Sequence, residues 1–463
     1  MEIQDLTPIE QSCFWMAGRP AREAAVPLRG DLDVDFAVVG GGYTGLWTAL
    51  FLKELEPSAS VAVVEQGLVG HGGSGRNAGI AGEGLDHSHE LAIAHFGLEE
   101  ARTMARVGRE NLADMEAWLA TRGVDAAFER PGQLLVALSD AHLRGIDAAL
   151  EAARRVGIDD HRLLSRDETR SELDSPLYLG ALLQPRNALV DPVRLAEGLR
   201  AQAVRDGVRV FEQSPVRALR AGGGRVHVRT EEGALRARRA VLAANAYSHR
   251  LRRSLIRRFV PLYDYVLVSE PLTAEQRAAI GWPHRRGVVD ARAFFNYYRL
   301  TRDGRILFGT SEAAYYPRNR VGPEHDASPV HFDALRASFV RHFPRLAGLR
   351  FPFAWGGPIA STTRLTPFFG VYRGRIAYGL GYTGHGIGST RVAGRILAEL
   401  SLGRRGGLAE LAMVRRAPFP YPPEPLRTLA VRAVTRALRR VDAGEKPGIL
   451  LRLLDRMGIG FSS

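Results

Sequence analysis

The sequence predicts an α/β protein of two domains, one built on a parallel sheet covered by helices and one, inserted into it, built on an antiparallel sheet. Strand-like and helix-like segments alternate over residues 35–64, and the alternation returns over residues 178–246 and 376–402. Such alternation is typical of a parallel sheet. Between residues 260 and 355, short strand patterns recur and end in one helix pattern, which favours an antiparallel sheet with a covering helix.

The first alternating segment contains a dinucleotide-binding motif. The apolar run Phe36 to Val39 leads into three glycines at G-x-G-x-x-G spacing, then a helix-like segment and a second apolar run that ends at Glu65. Gly40 permits a tight turn, Gly42 lets a pyrophosphate approach the backbone, and Gly45 allows close packing of helix on sheet. An acid at the position of Glu65 accepts ribose hydroxyls and disfavours a 2′-phosphate. The order of these features predicts a Rossmann-type domain that binds a dinucleotide.

Composition limits the class of protein. The chain has 463 residues with 45% hydrophobic and 24% charged residues, which is enough for two globular domains. The net charge of +13 comes almost wholly from arginine, and no nucleic-acid motif accompanies it, so we predict no nucleic-acid partner. Residues 1–34 lack a signal-peptide pattern and no apolar run is long enough to span a membrane, which predicts a cytoplasmic protein. The single cysteine, Cys13, excludes an internal disulfide and a thiolate metal cluster, and we predict no metal.

Two further segments carry a family resemblance. The glycine-rich loop Gly70 to Gly79 contains Arg76 and Asn77 and resembles the G-x-S-G-R-N-x-G loop of FAD-dependent oxidoreductases of the D-amino-acid oxidase superfamily. The glycine oxidase, sarcosine oxidase and γ-glutamylputrescine oxidoreductase branch is the most similar. The segment GLGYTGHG, which starts at Gly379, resembles the C-terminal flavin motif of the same family. The resemblance covers roughly residues 35–402 and implies FAD as the cofactor.

The motif and the resemblance together give the expected cofactor contacts. Backbone N–H groups at the start of the helix after GYTGHG are expected near the flavin ring, where negative charge develops on reduction. We expect FAD to be held without a covalent link, although His71 remains a candidate for a histidyl link. The predicted cofactor-binding residues are Gly40, Gly42, Tyr43, Thr44, Gly45, Glu65, Gln66, Ser74, Gly75, Arg76, Asn77, Gly79, Val216, Asn245, Gly356, Gly381, Thr383, Gly384, His385 and Gly386.

The resemblance also implies a discontinuous cofactor domain. The fold class expected is therefore α/β, with a Rossmann-type FAD-binding domain and an inserted antiparallel-sheet (α+β) substrate domain. The predicted segments are a lead-in at 1–34, the FAD-binding domain at 35–85, 156–259 and 356–402, a helical cap at 86–155, the substrate domain at 260–355 and a basic helical extension at 403–463.

The family's reaction removes two electrons from the C–N bond of an amine or amino acid, with hydride transfer to the flavin and an imine as product. The strand Asn296 to Leu300, NYYRL, resembles the DYYRL strand of the γ-glutamylputrescine oxidoreductase branch. Its arginine, Arg299, is a candidate to pair with a substrate carboxylate, as is Arg364, although a structural ion pair explains each equally well. The predicted catalytic residues are His385, Arg299 and Tyr298, and the predicted substrate-binding residues are Arg299, Tyr297 and Arg364.

The electron acceptor and the C-terminal helix leave alternatives open. Sarcosine oxidases place a lysine against the flavin to activate oxygen, and neither Lys53 nor Lys446 suits that role. Oxygen and a quinone therefore both remain candidate acceptors. The basic amphipathic segment Leu426 to Val441 is explained by peripheral membrane contact, by dimerisation or by packing on its own chain.

The function predicted from these residues is FAD-dependent oxidation of a secondary amine or amino acid that resembles γ-glutamylputrescine, glycine or sarcosine. One alternative is an FAD-linked dehydrogenase of a hydroxy acid or polyol, which shares the dinucleotide motif. A second alternative is a flavoprotein subunit without its own substrate. The SGRN loop and the GYTGHG turn favour the amine branch.

Overall fold

The computed structural model describes residues 9–404, 406–456 and 459. The first eight residues of the predicted lead-in, Arg405 in the extension, and Met457, the predicted end of the last helix-like segment, lie outside the described residues. The strands are β1 Gly30–Val39, β2 Val61–Val64, β3 Ile80–Ala81, β4 Gln133–Ala137, β5 Arg162–Leu164, β6 Gly180–Gln184, β7 Ala188–Leu189, β8 Arg209–Phe211, β9 Ala218–Gly222, β10 Arg225–Arg229, β11 Gly233–Leu242, β12 Val260–Val268, β13 Gly287–Asp290, β14 Asn296–Leu300, β15 Ile306–Tyr315, β16 Phe353–Ser361, β17 Phe368–Tyr372 and β18 Ile376–Leu380. The helices are α1 Ile9–Ser12, α2 Phe14–Ala17, α3 Tyr43–Leu55, α4 Gly73–Arg76, α5 His89–Phe96, α6 Leu98–Thr121, α7 Asp140–Arg155, α8 Arg166–Glu172, α9 Pro192–Arg205, α10 Ser248–Leu251, α11 Ala274–Ile280, α12 Pro329–His342, α13 Gly386–Leu402, α14 Ala412–Arg415, α15 Leu426–Asp442 and α16 Ile449–Arg456.

The first sheet forms the core of the predicted dinucleotide domain. Its central order is β17-β18-β11-β1-β2-β8, and the pairs from β18 to β8 are parallel, whereas β17 pairs antiparallel. The hairpin of β9 and β10 joins β11 at the side. Apolar clusters cover both faces of this sheet. This arrangement confirms the α/β prediction.

Helices α3 and α13 pack together on one face of this sheet. Trp47 on α3 is 1% exposed, and burying such a side chain stabilises the fold by roughly 2–3 kcal/mol. A Cβ at Gly394 on α13 would lie 2.5 Å from the Trp47 Cβ, so the two helices meet where α13 has no side chain. This contact fixes the helix that follows the first glycine motif against the helix that follows the last one.

The second sheet has the order β16-β12-β15-β14-β13-β4-β6-β5, and all of its neighbouring pairs are antiparallel except β13 with β4. Helix α12 packs on it, as the strand-then-helix pattern predicts. Strands β4, β5 and β6 belong to this sheet, although the sequence placed residues 133–137 in a helical cap and residues 162–184 in the cofactor domain. The physical reason is that Leu134 and Leu183 enter the same apolar core as Tyr298, and this core is assembled only in the tertiary structure. Residues 140–155 form α7 and are helical as expected.

The C-terminal arm, which we define as residues 419–456, returns to the second domain. It contains α15 and α16, and hydrogen bonds from the Tyr315 hydroxyl to Glu424, at 2.6 Å, and from the Ala293 N–H to Asp442, at 2.8 Å, attach it there. Helix α15 packs on its own chain, one of the three interpretations that the sequence left open. None of the helices in the described ranges is long and apolar enough to cross a membrane.

Candidate active site

The first glycine motif forms a turn in which side chains have no room. Gly40 has a φ of +112°, and a Cβ there would lie 2.7 Å from the carbonyl oxygen of Ala243. A Cβ at Gly45 would lie 1.9 Å from the carbonyl oxygen of Gly40. Gly42 precedes the first turn of α3, and a Cβ there would lie 2.8 Å from Ser74 Oγ. The backbone is therefore bare at the N-terminus of α3, where the helix dipole favours a phosphate.

Glu65 lies directly after β2, at the carboxyl edge of the parallel strands. Its carboxylate accepts hydrogen bonds from the N–H groups of Gly41, at 2.7 Å, and Gly67, at 3.1 Å. Burial raises the pKa of Glu65, and these backbone donors oppose the rise. Gln66 is exposed beside it.

The second glycine loop joins this turn to the second domain. Ser74 Oγ accepts from the Tyr43 N–H at 3.0 Å, so the loop is tied to the start of α3. Asn77 Oδ1 accepts from the Gly79 N–H at 2.9 Å and holds the loop's own turn. Arg76 is 4% exposed and pairs with Asp326 at 2.7 Å. The loop therefore bridges the two domains.

The C-terminal turn brings a helix N-terminus to the same place. Gly381 and Gly384 have positive φ values of 91° and 89°, and Thr383 has a φ of +47°, which is unusual for a residue with a branched side chain. Asn245 Oδ1 accepts from the Gly381 N–H at 3.2 Å, and Thr44 Oγ1 donates to the Tyr382 hydroxyl at 2.8 Å. The turn ends at Gly386, where α13 begins.

A cavity of about 790 Å³ lies between the domains. The second glycine loop and the C-terminal turn form one side, β12 and β14 form another, and the C-terminal arm closes the far end. Its walls include Arg76, Asn77, Asp86, His87, Asp264, Tyr297, Thr383, Gly384 and His385.

Two histidines meet at the wall of this cavity. His385 Nδ1 lies 3.3 Å from His87 Nδ1 and 3.3 Å from the carbonyl oxygen of Thr383. Since a carbonyl only accepts, the hydrogen is assigned to His385 Nδ1, which leaves His385 Nε2 as an acceptor. Burial lowers the pKa of His385, and burial and the neighbouring His385 lower the pKa of His87 to about 3. Both rings are therefore neutral at pH 7.

A carboxylate faces the cavity from the second domain. Asp264 Oδ2 accepts from the Tyr297 hydroxyl at 2.8 Å, and Oδ1 accepts from the Tyr265 N–H at 2.9 Å. Burial raises the pKa of Asp264 to about 7. A carboxyl group with such a pKa exchanges protons near neutral pH.

The comparison with known proteins identifies the cofactor. Residues 35–400 match the family model described as "FAD dependent oxidoreductase" (DAO). The chain belongs to this family. The predicted resemblance, the FAD cofactor and the oxidoreductase class are thereby confirmed.

Relatives within the family span most of the chain. The γ-glutamylputrescine oxidoreductase of Escherichia coli (strain K12) is 32% identical over 395 residues, which cover 85% of this chain and 89% of that protein. The sarcosine oxidase subunit beta of Rhodobacter capsulatus is 24% identical and covers 72% of this chain and 76% of its own. The crystal structure of glycine oxidase from Geobacillus kaustophilus aligns with a TM-score of 0.68 at 20% identity, over 83% of this chain and 99% of that one. This likeness shows the shared fold.

The residues present are compatible with FAD. The Gly40 N–H donates to the Val64 carbonyl at 2.9 Å and so belongs to the turn itself. The lack of a Cβ at Gly42 leaves the N-terminus of α3 accessible, and the first N–H groups of this helix are the expected donors to a pyrophosphate. We expect Glu65 to accept the ribose hydroxyls and the N-terminus of α13 to face the flavin carbonyls. In the described part of the chain, no cluster of side chains suits a metal ion.

Three of the residues predicted to contact the cofactor also have structural roles in the protein. A Cβ at Gly356 would lie 2.6 Å from the Tyr265 ring, so packing requires this glycine, and its carbonyl accepts from Arg76 at 3.2 Å. Val216 lies between β8 and β9 and packs against an apolar cluster of the first sheet. Tyr43 donates its hydroxyl hydrogen to the Pro192 carbonyl at 2.8 Å. Their contact with FAD stays a prediction.

The positions of Arg299 and Tyr298 correct the substrate and catalytic roles predicted for them. Arg299 is 3% exposed, and its Nη1 donates to the carbonyls of Gly79, at 2.9 Å, and Val190, at 2.7 Å. Burial lowers its pKa to about 9. Tyr298 lies in the second core with its hydroxyl 2.5 Å from that of Tyr178. Neither residue lines the cavity. Alternation along β14 turns Tyr298 to the face opposite Tyr297, whereas Arg299 shares the face of Tyr297 but is covered by the backbone of Gly79 and Val190.

Arg364 is likewise committed to the fold. Its guanidinium donates to the carbonyls of Arg416, at 2.6 Å, and Met413, at 2.7 Å. Burial lowers its pKa to about 10, and the residue does not line the cavity. The structure therefore corrects its predicted substrate role: Arg364 fixes the segment that leads to the C-terminal arm.

His71, the candidate for a covalent link, is engaged elsewhere, and the single cysteine is buried. His71 Nδ1 lies 3.0 Å from Glu10 Oε1, and His71 Nε2 lies 3.2 Å from Arg76 Nη2. Cys13 is fully buried, and burial raises its pKa to about 12. Neither side chain lines the cavity.

Sequence reasoning missed Asp86, His87 and Asp264. The segment GEGLDHSHE, residues 82–90, concentrates an aspartate and two histidines in a glycine-containing loop, and this density was a usable signal. Asp264 is an acid within an apolar strand pattern. A carboxyl group at such a position needs hydrogen-bond partners when it is buried, and this need was a usable signal.

Proposed function

We propose that the protein oxidises the C–N bond of an amine, with FAD as the electron acceptor. The charge of the cavity wall carries this proposal. Among the described residues that line the cavity, the acids are Glu83, Asp86, Glu90 and Asp264, and the one arginine is Arg76. Glu83 is paired with Arg109 at 3.0 Å. Arg76 is itself neutralised by Asp326. Such a wall attracts an ammonium group and repels a free carboxylate.

The chain's own residues suit the proton chemistry of an amine. Bound FAD would supply the acceptor for the hydride, which carries two electrons, that leaves the substrate carbon. A substrate ammonium must lose a proton before that carbon can release hydride. Asp264, with its raised pKa, is the group we assign to accept this proton, and the Tyr297 hydroxyl holds its carboxylate in place. His385 Nε2 is available to accept a hydrogen bond from the amine.

The proposed reaction has two steps, oxidation to an imine and hydrolysis of the imine by water. The carbon loses hydride and the nitrogen loses a proton, so a C=N double bond forms, and water then cleaves this imine to a carbonyl compound and an amine. The neutral pair of His87 and His385 adds no positive charge that would oppose an ammonium substrate. The similarity to γ-glutamylputrescine oxidoreductase supports the same reaction class.

A hydroxy-acid substrate is less compatible with this wall. A carboxylate needs a free guanidinium or ammonium, and Arg299 and Arg364 are both bound to backbone carbonyls. Neither Lys53 nor Lys446 lines the cavity. Oxygen and quinone remain the two acceptor classes to be compared.

Anaerobic mixing of the purified flavoprotein with amines, amino acids and hydroxy acids tests the proposal. We expect amines to bleach the flavin absorption at about 450 nm. Asp264→Asn should slow bleaching by roughly 100-fold while it retains bound FAD, since general-base contributions are of this order. Bleaching by hydroxy acids alone, or by none of the three classes, would contradict the proposal. Admission of air or of a quinone to the bleached protein then identifies the acceptor by its reoxidation rate.

A further inference from the structure

The far end of the cavity is built by the C-terminal arm and is aliphatic. Val431, Val434 and Leu438 on α15 line it, together with Leu450 and Leu454 on α16. None of the arm residues that line the cavity in the described range 419–456 carries a charge. The acids that line the cavity lie elsewhere, on the segment 83–90 that leads into α5 and on β12. The cavity therefore has one acidic part and one aliphatic part.

Apolar residues of the second sheet and of α7 also line the cavity, namely Leu135, Leu182, Ile146 and Ala149. Uncharged polar side chains, Gln133 and Gln184, and the imidazole of His142 lie beside them in the lining. An uncharged chain bound against the apolar residues of the arm and of the second sheet would lose its contact with water. Burial of this kind stabilises a ligand by roughly 0.8 kcal/mol per methylene, which is about fourfold in affinity.

Periodicity fixes which face of α15 meets the cavity. Arg427, Val431, Val434, Leu438 and Asp442 are spaced at i, i+4, i+7, i+11 and i+15, which places them on one side of the helix. Arg427 is 2% exposed and donates to Asn319 Oδ1 at 2.8 Å. The Asp442 carboxylate accepts from the N–H groups of the adjacent residues 293 and 294 at 2.8 and 2.9 Å. The aliphatic residues are thus held over the cavity by polar anchors at both ends of the helix.

A third anchor precedes the helix. Glu424 accepts from the Tyr315 hydroxyl at 2.6 Å and from the Arg318 N–H at 2.8 Å. Burial favours a higher pKa, but the bonds from Tyr315, Thr428 and Arg318 outweigh it and lower the pKa of Glu424 to about 2. The carboxylate is therefore charged at neutral pH, and the arm is docked by charge-assisted bonds.

We propose that the C-terminal arm determines substrate specificity by forming the binding site for an uncharged, aliphatic extension of the amine. This inference rests on the proposed amine chemistry and adds the part of the substrate that does not react. The family model ends at residue 400, so this wall is contributed by a segment outside the matched range. Compact amino acids such as glycine and sarcosine would leave it empty, and a distal charge would be buried against it without a partner.

Binding of unbranched alkylamines, from propylamine to heptylamine, to the pre-reduced holoenzyme under anaerobic conditions tests the proposal. Calorimetry reads the affinity without turnover. We expect about fourfold tighter binding per added methylene until the aliphatic end is filled. The diamine of the same length as heptylamine should bind at least about tenfold more weakly, because its second ammonium meets the aliphatic wall.

Two glutamate variants on opposite faces of α15 supply the matched comparison. Val434→Glu should reduce the gain per methylene to below about twofold, whereas Leu429→Glu, at a position that is 57% exposed and does not line the cavity, should keep the wild-type gain. Equal behaviour of the two variants, no dependence on tail length, or equal binding of the diamine would overturn the proposal.

A measurement on the unaltered holoenzyme guards against a variant that fails to fold. Heptylamine should slow amide hydrogen exchange of α15 at least about fivefold more than propylamine does, since the ordered tail holds the helix in place. Equal protection by the two amines would count against the arm. Tail-dependent binding without flavin bleaching by any amine would instead contradict the proposed oxidation and leave the role of the arm standing.

Discussion

Buried carboxyl groups give the cavity its chemical character. Burial raises the pKa of Asp86 to about 7 and that of Asp264 to about 7, but their surroundings differ. Both side chains line the cavity. Asp264 accepts at both oxygens, from the Tyr297 hydroxyl and the Tyr265 N–H. Asp86 accepts at Oδ1 from the His87 N–H at 2.5 Å and the Thr366 hydroxyl at 3.4 Å, and its Oδ2 has no hydrogen-bond partner among the described residues. The ionised form of Asp86 therefore lacks part of the stabilisation that the Asp264 carboxylate receives.

The first prediction concerns Asp86 and pH. Its folded pKa of about 7 lies above the ordinary value, so the folded state binds its proton more tightly than the unfolded state does. The stability that protonated Asp86 contributes is therefore fully present below the ordinary pKa of about 4 and is lost as the pH rises through 7. Asp86→Asn should raise the free energy of unfolding by about 2–4 kcal/mol at pH 8 and by little near pH 4. Thermal unfolding of the wild type and of Asp86→Asn between pH 4 and pH 8 measures this gain in stability. A gain that is largest at low pH would contradict the raised pKa of Asp86.

The second prediction concerns Arg299. Removal of its guanidinium leaves the buried carbonyls of Gly79 and Val190 without their donor, which costs about 2–4 kcal/mol of stability. Arg299→Met should therefore lower the Tm and weaken flavin retention, because the second glycine loop is loosened. The KM of the flavin-loaded fraction should stay within about twofold, as expected for a residue outside the substrate site. A large rise in KM at unchanged Tm would restore the carboxylate-binding role predicted from the NYYRL strand.

At the scale of elements, helix termini and strand edges place the site. Helix α3 follows Gly42 and helix α13 begins at Gly386, each directly after a strand of the parallel sheet and its glycine turn, so both N-termini lie at the carboxyl edge where a dinucleotide is expected. Strands β12 and β14 present Asp264 and Tyr297 from the opposite domain. Helix α15 completes the enclosure, and its position depends on a few polar anchors.

The third prediction concerns the anchor at the end of α15. Asp442 accepts two backbone N–H bonds, and their loss should cost the docked arm about 1–3 kcal/mol. Asp442→Ala should therefore speed amide hydrogen exchange in α15 by about tenfold or more. Arg440→Ala, on the exposed face of the same helix, is the control and should leave the exchange rate unchanged. Equal rates in the two variants would show that the anchor does not hold the helix.

At the scale of the whole molecule, the second glycine loop connects the two domains. Arg76 extends from this loop to Asp326. The indole N–H of Trp355, on β16, donates to the Arg76 carbonyl at 2.9 Å. The Arg299 guanidinium binds the end of the same loop. Cofactor binding in one domain and the position of the cavity wall in the other therefore depend on a shared set of contacts.

The fourth prediction follows from this connection. Asp326→Asn leaves the 4% exposed Arg76 guanidinium without its anionic partner, and breaking a buried pair in this way costs about 3–5 kcal/mol. Flavin release on heating, followed by fluorescence, should therefore occur at a lower temperature. Glu312→Gln removes the partner of Arg439 in an exposed ion pair, which should change the free energy of unfolding by less than about 0.5 kcal/mol. The temperature of flavin release should therefore stay close to that of the wild type. Similar release temperatures for both variants would exclude a role for the interdomain pair.

The sequence by itself determined the parallel sheet, the dinucleotide motif and the family. These features are local: Gly40, Gly42 and Gly45 are required by backbone geometry within one turn, and the apolar runs beside them form strands wherever both faces are covered. The antiparallel character of residues 260–355 followed from short strand patterns for the same reason. Turns and strands whose geometry depends on residues close in sequence can be predicted from the sequence alone.

Only the tertiary structure decided which residues meet across it. Arg299 and Tyr297 lie two residues apart on one face of β14, yet Arg299 reaches backbone carbonyls of the glycine loop while Tyr297 lines the cavity, and this difference depends on what packs against the strand. Strand β4 joined the second sheet because of its partner β6, and α15 closed the cavity because Asp442 meets N–H groups about 150 positions away along the chain. Contacts at such separations depend on the assembled core, which no local pattern encodes.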